Sequence, residues 1–105
     1  MDTERRLHPR ITEPLPVIVR GSDSSRKRYQ FDCVTRDLSA GGLCARAPRR
    51  MAPGEKINLH IRFAAAGSDV SEAPAASARA VVVRSELCAD GDCMFAASFF
   101  IRHMR

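Results

Sequence analysis

The chain has 105 residues and a mass of 11.6 kDa, the size of one ordinary domain, which argues against most multi-substrate enzymes. Hydrophobic residues make up 45% of the sequence and charged residues 28%, so we expect a folded core and exclude wholesale disorder. The formal net charge of +5 comes almost entirely from arginine, with lysine only at Lys27 and Lys56, and it indicates an anionic partner.

The N-terminal segment, residues 1–12, is charged and contains no apolar run of the kind that marks a secretory signal. No later apolar run reaches membrane-spanning length, so we expect a cytoplasmic protein without membrane insertion. Pro9 disfavours a helix at the residue before it. We therefore predict an extended or turning arm, on which the guanidinium groups of Arg5, Arg6 and Arg10 can surround one compact anion.

Beyond the arm, alternating apolar and polar side chains predict β-strands. The clearest example is residues 56–63, where Ile57, Leu59 and Ile61 alternate with polar residues. Several other segments repeat this alternation or are rich in β-branched residues. In chain order, the predicted strands cover residues 16–20, 29–36, 43–47, 56–63, 78–86 and 93–101.

Turn-forming residues separate these strands, as at Gly41-Gly42 and Pro53-Gly54. Six short strands with tight connections predict an all-β fold, a small six-stranded antiparallel β-barrel of the split-barrel type, because closure removes exposed sheet edges. The longer connection at residues 64–77 is predicted to be a mobile surface loop with a helical turn at 71–76. The barrel then occupies residues 13–101, and residues 102–105 form a tail.

The cysteines and histidines form no recognisable catalytic or metal-binding pattern. The four cysteines show no CxxC spacing, and Cys33 and Cys44 lie in apolar alternation that predicts buried thiols. A redox role for Cys88 and Cys93, which flank a predicted turn, stays open. The histidines and serines lie outside triad and phosphate-loop signatures. We therefore expect that the protein is not an enzyme and that it has neither a metal site nor a resident cofactor.

Two short clusters stand out as candidate binding residues. In the first, Arg6 and Arg10 are separated by three residues on the arm. The second begins at Asp37, in a predicted turn between the second and third strands. There Asp37 supplies a hydrogen-bond acceptor, Ser39 a hydroxyl, and Gly42 a position that tolerates positive φ and close backbone approach. Each cluster alone is ordinary, because basic arms are often only solvated and Asp-x-Ser turns are often only turns.

In this order, on a predicted barrel, the two clusters resemble the PilZ domain family. The family signature is RxxxR near the start of a six-stranded barrel and [D/N]xSxxG on a following turn, and this chain has RLHPR at residues 6–10 and DLSAGG at residues 37–42. The resemblance extends from about residue 4 to residue 101. It departs at Ala97, where the family commonly has glycine, and no helix is predicted after the last strand.

The resemblance implies a non-catalytic receptor for cyclic di-GMP, a bacterial second messenger in which two guanosines are joined by two phosphodiesters. Arg6 and Arg10 are then expected to bind phosphate oxygens or guanine O6 and N7 and to stack on purine planes, with Arg5 as a third contact. The arm is expected to be mobile without the ligand and to fold over it when it binds.

The same resemblance implies roles for the second cluster. Asp37 is expected to accept hydrogen bonds from guanine N1–H and N2–H, and Ser39 to bond to a base edge or a phosphate. Gly42 is expected to keep the turn close to the ligand.

The resemblance also implies an unidentified downstream effector protein and a process such as motility or exopolysaccharide regulation. Two alternatives stay open. One is a PilZ-like protein-interaction module without ligand binding. The other is a small basic β-barrel that binds single-stranded nucleic acid; this partner is disfavoured because most aromatic residues lie in apolar alternation, where packing in the core is expected.

Overall fold

The computed structural model of the chain describes residues 11–64 and 73–104, with side chains described as far as Ile101. The regular elements of these residues are all strands, and no helix long and apolar enough to cross a membrane occurs among them. In chain order the strands are β1 (Pro16–Ser22), β2 (Arg28–Ser39), β3 (Gly42–Ala47), β4 (Lys56–Arg62), β5 (Ala75–Leu87) and β6 (Cys93–Met104).

The six strands close into one antiparallel barrel in the order β1-β2-β3-β6-β5-β4. Pairing between β1 and β4 completes the ring, with Val19 opposite Leu59. Strands that are consecutive in sequence pair with each other except β3 and β4. Instead, β3 pairs with β6, and β4 pairs with β1. The predicted all-β, six-stranded barrel is confirmed.

The core fills the interior of this barrel with alternate residues of each strand. In β4, Ile57, Leu59 and Ile61 are each at most 3% exposed, and Val19 of β1 and Phe95 of β6 are equally inaccessible. Fully burying side chains of this size stabilises the fold by about 1.5–3 kcal/mol each. The alternation used to predict the strands is therefore the pattern that fills the core.

Five of the six strands extend beyond their predicted limits, and three of them do so by three residues at one end. β2 continues to Ser39, β5 begins at Ala75, and β6 continues to Met104, where a tail was predicted. Ala75 and Ala76 pair with β4, so the predicted helical turn is wrong at these residues; the rest of that connection, residues 65–72, lies outside the described part. Alanine has a low intrinsic preference for strands, and pairing with a neighbouring strand overrides it.

Side-chain contacts tie the loop between β3 and β4 to the start of β2. The Tyr29 hydroxyl donates to Glu55 Oε2 at 2.7 Å, and Glu55 Oε1 accepts from the Ala52 N–H at 3.0 Å. The Arg49 guanidinium lies 3.8 Å from the centre of the Tyr29 ring. Burial, followed by the bond to Glu55, raises the pKa of Tyr29 well above its usual range, so its phenol keeps its proton.

Candidate ligand-binding site

A β-bulge at Arg36 turns the second motif toward the outside of the barrel. Thr35 pairs with Ala45 and Asp37 with Cys44, so Arg36 is one extra residue in β2. In a regular strand, Asp37 would share a face with Thr35, whose side chain is 1% exposed and lies in the interior. The extra residue places Asp37 on the outer face instead.

The same shift separates the motif into one core residue and two outward residues. Leu38 is buried opposite Leu43, while Asp37 and Ser39 flank it on the outer side. The Ser39 hydroxyl oxygen accepts from the Gly41 N–H at 3.2 Å, which leaves the hydroxyl proton to donate elsewhere. The prediction that Asp37 and Ser39 lie in a turn is wrong, because both belong to β2 and only residues 40–41 form the turn.

Gly42 is needed for close packing of strands rather than for the turn. Positive φ occurs at Gly54 and Gly91, and Gly42 is outside that region, so the expectation that it supplies positive φ is wrong. A Cβ at Gly42 would overlap the carbonyl oxygen of Ala97 on β6. The close approach is therefore to the neighbouring strand, and a direct role of Gly42 beside a ligand stays a prediction.

Asp37 lines a groove of about 530 Å³ on the outer face of β2, β3, β6 and β5. We call it the motif groove. The register places Asp37, Cys44, Ala96 and Arg84 in one row across these four strands. Because Ala96 is small and buried, the surface is depressed in the middle of the row. The Asp37 carboxylate lies at one end of the row and the Arg84 guanidinium at the other. This arrangement offers both a hydrogen-bond acceptor and a cation to a polar ligand.

A second bulge borders the motif groove on the β5 side. Val82 pairs with Ala97 and Arg84 with Ala96, so Val83 is extra, and Val83 and Arg84 both face solvent. Sequence reasoning missed Arg84, and also Arg36 at the first bulge, since neither belongs to a motif. Only the cross-strand register, which the local sequence does not encode, brings these arginines to one groove.

The residue that follows RxxxR is anchored directly to the second motif. Ile11 forms an isolated antiparallel bridge with Leu38: the Ile11 N–H donates to the Leu38 carbonyl at 2.7 Å, and the Leu38 N–H donates back at 2.9 Å. Leu38 lies between Asp37 and Ser39, so Ile11 is paired with the residue between the two candidate binding residues. The predicted contacts of Arg5, Arg6 and Arg10 lie outside the described residues.

An apolar cavity of about 450 Å³ lies at this same end of the barrel. Its walls include Ile11, Leu38, Phe63 and Phe99, and Ser39 contributes one of its few polar groups. Asp37 therefore borders a polar groove and Ser39 an apolar cavity. The apolar cavity can pack against the face of a flat ring, and the polar groove can form hydrogen bonds with its edges.

The cysteines of the barrel differ in exposure. Burial, with a smaller contribution from the charge of Asp32, raises the pKa of Cys33 to about 11, so this thiol stays protonated and unreactive at neutral pH. Cys33 and Cys44 are both only partly buried, whereas we predicted buried thiols, and Cys44 lines the motif groove. All four cysteines are free, and within residues 11–64 and 73–101 no cluster of three or more His, Cys, Asp or Glu side chains could hold a metal ion.

Comparisons with known proteins agree with this geometry. The family model of the PilZ domain matches residues 4–101. No curated protein matches the sequence significantly. Among solved structures, the inhibitor of motility MotI (DgrA) from Bacillus subtilis is similar, with a TM-score of 0.67 and 19% identity over 92% of this chain and 43% of that one.

A second similar structure is the PilZ domain of YcgR from Escherichia coli, solved with c-di-GMP. The TM-score is 0.55 and the identity 17%, over 91% of this chain and 78% of that one. At these identities the likeness shows the fold alone. The chain spans less than half the length of MotI.

Proposed function

The chain belongs to the PilZ domain family, and on this basis we propose that it is a receptor for cyclic di-GMP that catalyses no reaction and passes the signal to a partner protein. The family supplies the class of ligand. The RxxxR motif of the sequence, together with Asp37 and Ser39 of β2, supplies the residues that would bind it.

The observation that carries the proposal is the bridge between Ile11 and Leu38. Ile11 is bonded to Arg10, the last arginine of RxxxR, and Leu38 lies between Asp37 and Ser39. The two motifs are far apart in sequence, and this bridge places Ile11, the residue next to the first motif, beside the middle of the second. A single ligand at this place would be within reach of both.

The chemistry of the ligand matches the groups that the chain offers. Cyclic di-GMP carries two negative charges, acceptors at guanine O6 and N7, and donors at N1 and N2. Arg6 and Arg10, with Arg5 as a third contact, would bind the phosphates and the O6/N7 edge in forked pairs and stack on the rings. Asp37 would accept from N1–H and N2–H, and the free proton of the Ser39 hydroxyl would bond to a phosphate or a base edge.

The signal would arise as the arm becomes ordered over the ligand. Fixing the backbone costs about 1–2 kcal/mol per residue, which charge-assisted bonds from two or three arginines offset. The surface next to the ordered arm would then differ between the free and bound states. Because MotI is named as an inhibitor of motility, motility is the process we propose first.

Calorimetric titration with cyclic di-GMP tests the proposal. We expect wild-type protein to bind, and Arg6→Ala, Arg10→Ala and Asp37→Ala to abolish binding while the fold persists. Asp32→Ala and Arg50→Ala are matched controls, because both residues are exposed and lie outside the motifs. These two variants should bind as wild type does.

Titrations with GTP and cyclic GMP establish whether the cyclic dinucleotide itself is recognised. Normal binding by both arginine variants would show that the arm assignment is wrong. If wild-type protein instead bound oligonucleotides in a strongly salt-dependent manner and no cyclic di-GMP, it would be a nucleic-acid-binding barrel. If it bound neither, it would be a protein-interaction module.

A further inference from the structure

A second groove, of about 690 Å³, lies on the outer face of β2, β1, β4 and β5. We call it the basic groove. Among the described residues that line it, none is acidic. Its cationic and amide side chains are those of Arg20, Arg28, Lys56, Arg79, Gln30 and Asn58.

The register places Arg20 at the centre of this surface. Arg20 pairs with Gln30 on one side and with Asn58 on the other, and Asn58 pairs with Arg79. Arg20 Nε donates to Gln30 Oε1 at 2.8 Å, which orients the guanidinium and leaves its two terminal nitrogens for another acceptor. A fork held in this way is suited to binding a carboxylate through two parallel hydrogen bonds.

The positive charge of the basic groove is not neutralised within the described part of the chain. No described carboxylate forms an ion pair with Arg20, Lys56 or Arg79, nor with Arg28. Of the acidic residues in the loops at this end, Glu55 bonds to Tyr29, and Asp23 Oδ1 accepts from two backbone N–H groups. Cations gathered in one groove repel each other, and a negatively charged partner would relieve this repulsion.

We propose that the basic groove docks an acidic segment of a partner protein. Neighbouring strands are about 4.8 Å apart, so the row from β2 to β5 spans about 14 Å, the length of four or five residues of extended chain. Acidic residues at alternate positions of such a segment would all face the groove. The amides of Gln30 and Asn58 would bond to its backbone.

The lining of the groove favours a protein over other anionic partners. Single-stranded nucleic acid is usually bound by exposed aromatic rings that stack on the bases. Here Tyr29 is partly buried, with the Arg49 guanidinium over its ring, and the exposed ring of Phe100 lies outside the lining, with the Arg79 guanidinium 5.5 Å from its centre. A membrane surface is disfavoured because the groove is concave and no large exposed hydrophobic side chain lines it.

The two grooves lie on opposite sides of the barrel. The basic groove is centred on β1 and β4, and in the closed strand order these lie across from β6 and β3, on which the motif groove is centred. Both can be occupied at once. The basic groove could also pass the signal to the partner protein. That role rests on the proposed function, whereas the binding of an acidic segment does not.

Fluorescence anisotropy with a labelled peptide of alternating Glu and Ser tests the proposal on the full chain, with and without cyclic di-GMP. We expect Arg20→Gln/Arg79→Gln to lower affinity for the peptide at least about tenfold. Arg26→Gln/Arg50→Gln removes the same charge from exposed residues outside the groove and should change affinity less than about twofold. A peptide with Gln in place of Glu should not bind.

Two kinds of result would overturn the docking proposal. Equal losses in the two double variants would show that only net charge matters. Tighter binding of oligo(dT), or of vesicles rich in phosphatidylserine, that depended on Arg20 and Arg79 would assign the groove to nucleic acid or to membrane. Failure to bind cyclic di-GMP with peptide binding intact would refute the proposed function and leave this site standing.

Discussion

The motif groove and the basic groove differ in the regularity of the strands that form them. Two of the three register shifts among the described strand pairs, at Arg36 and Val83, lie at the motif groove, and the third, between Arg79 and Ala80 in β5–β6, lies at the edge of the basic groove. The pairs at the centre of the basic groove, β1–β2, β1–β4 and β4–β5, are in continuous register. One face of the barrel is therefore irregular, and the other is regular except at its edge beside Arg79.

This difference shows two ways of presenting side chains to a partner. On the regular face, strand alternation alone points Arg20 and Asn58 outward, and charge at any outward position contributes. On the irregular face, one additional residue decides whether Asp37 faces the motif groove or the core. Removing the extra residue should therefore change which face Asp37 occupies, whereas a substitution that keeps the residue count should not.

Deletion of Arg36 should have the largest effect. It removes the bulge, so either Asp37 turns into the core or the residues before it exchange faces. Burying an unpaired carboxylate or exposing the core should cost about 3–5 kcal/mol of unfolding free energy, enough to prevent folding of a marginal domain. Urea unfolding followed by circular dichroism measures this loss.

Arg36→Ala is the matched control, because it removes the charge and keeps the residue count. An exposed substitution of this kind should change stability by no more than about 0.5 kcal/mol. If the deletion variant and the substitution variant were equally stable, the bulge would not determine which side of the barrel Asp37 faces.

Gly42→Ala should have the next largest effect. The new Cβ would overlap the carbonyl oxygen of Ala97, and the strands β3 and β6 would have to move apart. Overpacking of this kind should cost about 1–3 kcal/mol, again measured by urea unfolding. Gly41→Ala is the control, since a Cβ there meets only the Ser39 hydroxyl oxygen at 3.8 Å and should be tolerated. Equal losses for both variants would place the constraint in the turn instead.

The sequence was sufficient to predict the number of strands and the closed barrel. The reason is physical: alternation such as that of Ile57, Leu59 and Ile61 is a local pattern, and the same pattern fills the core. The bulge at Arg36 was not predictable in this way. Its sequence continues an ordinary strand, and the extra residue exists only relative to the register of β3.

The candidate site was predictable only in part, for the same reason. The motif identified Asp37 and Ser39, but Arg84 resembles any other exposed arginine until β5 is paired with β6. Gly42 was selected as a turn residue, and its constraint comes from Ala97, on a strand far along the chain. Local chemistry identifies candidate residues, whereas non-local pairing decides their positions.

Tyr29→Phe should have the smallest effect and should concern stability alone. The ring stays beneath Arg49, and only the hydroxyl bond to Glu55 is lost, so we expect a loss of about 1 kcal/mol at neutral pH. Affinity for cyclic di-GMP should be unchanged, because Tyr29 lines the basic groove and not the motif groove. A change in this affinity would contradict the separation of the two faces.

The pH dependence of the same variant identifies the cause of the loss. The pKa of Tyr29 is raised in the folded state, first by burial and then by Glu55, so folding favours the neutral phenol. The stabilisation is complete below the ordinary tyrosine pKa of about 10 and is lost as the pH rises beyond it. Cys33, whose pKa is also raised, titrates in both proteins. Wild-type stability should therefore fall toward that of Tyr29→Phe above about pH 10, and parallel curves would exclude this linkage.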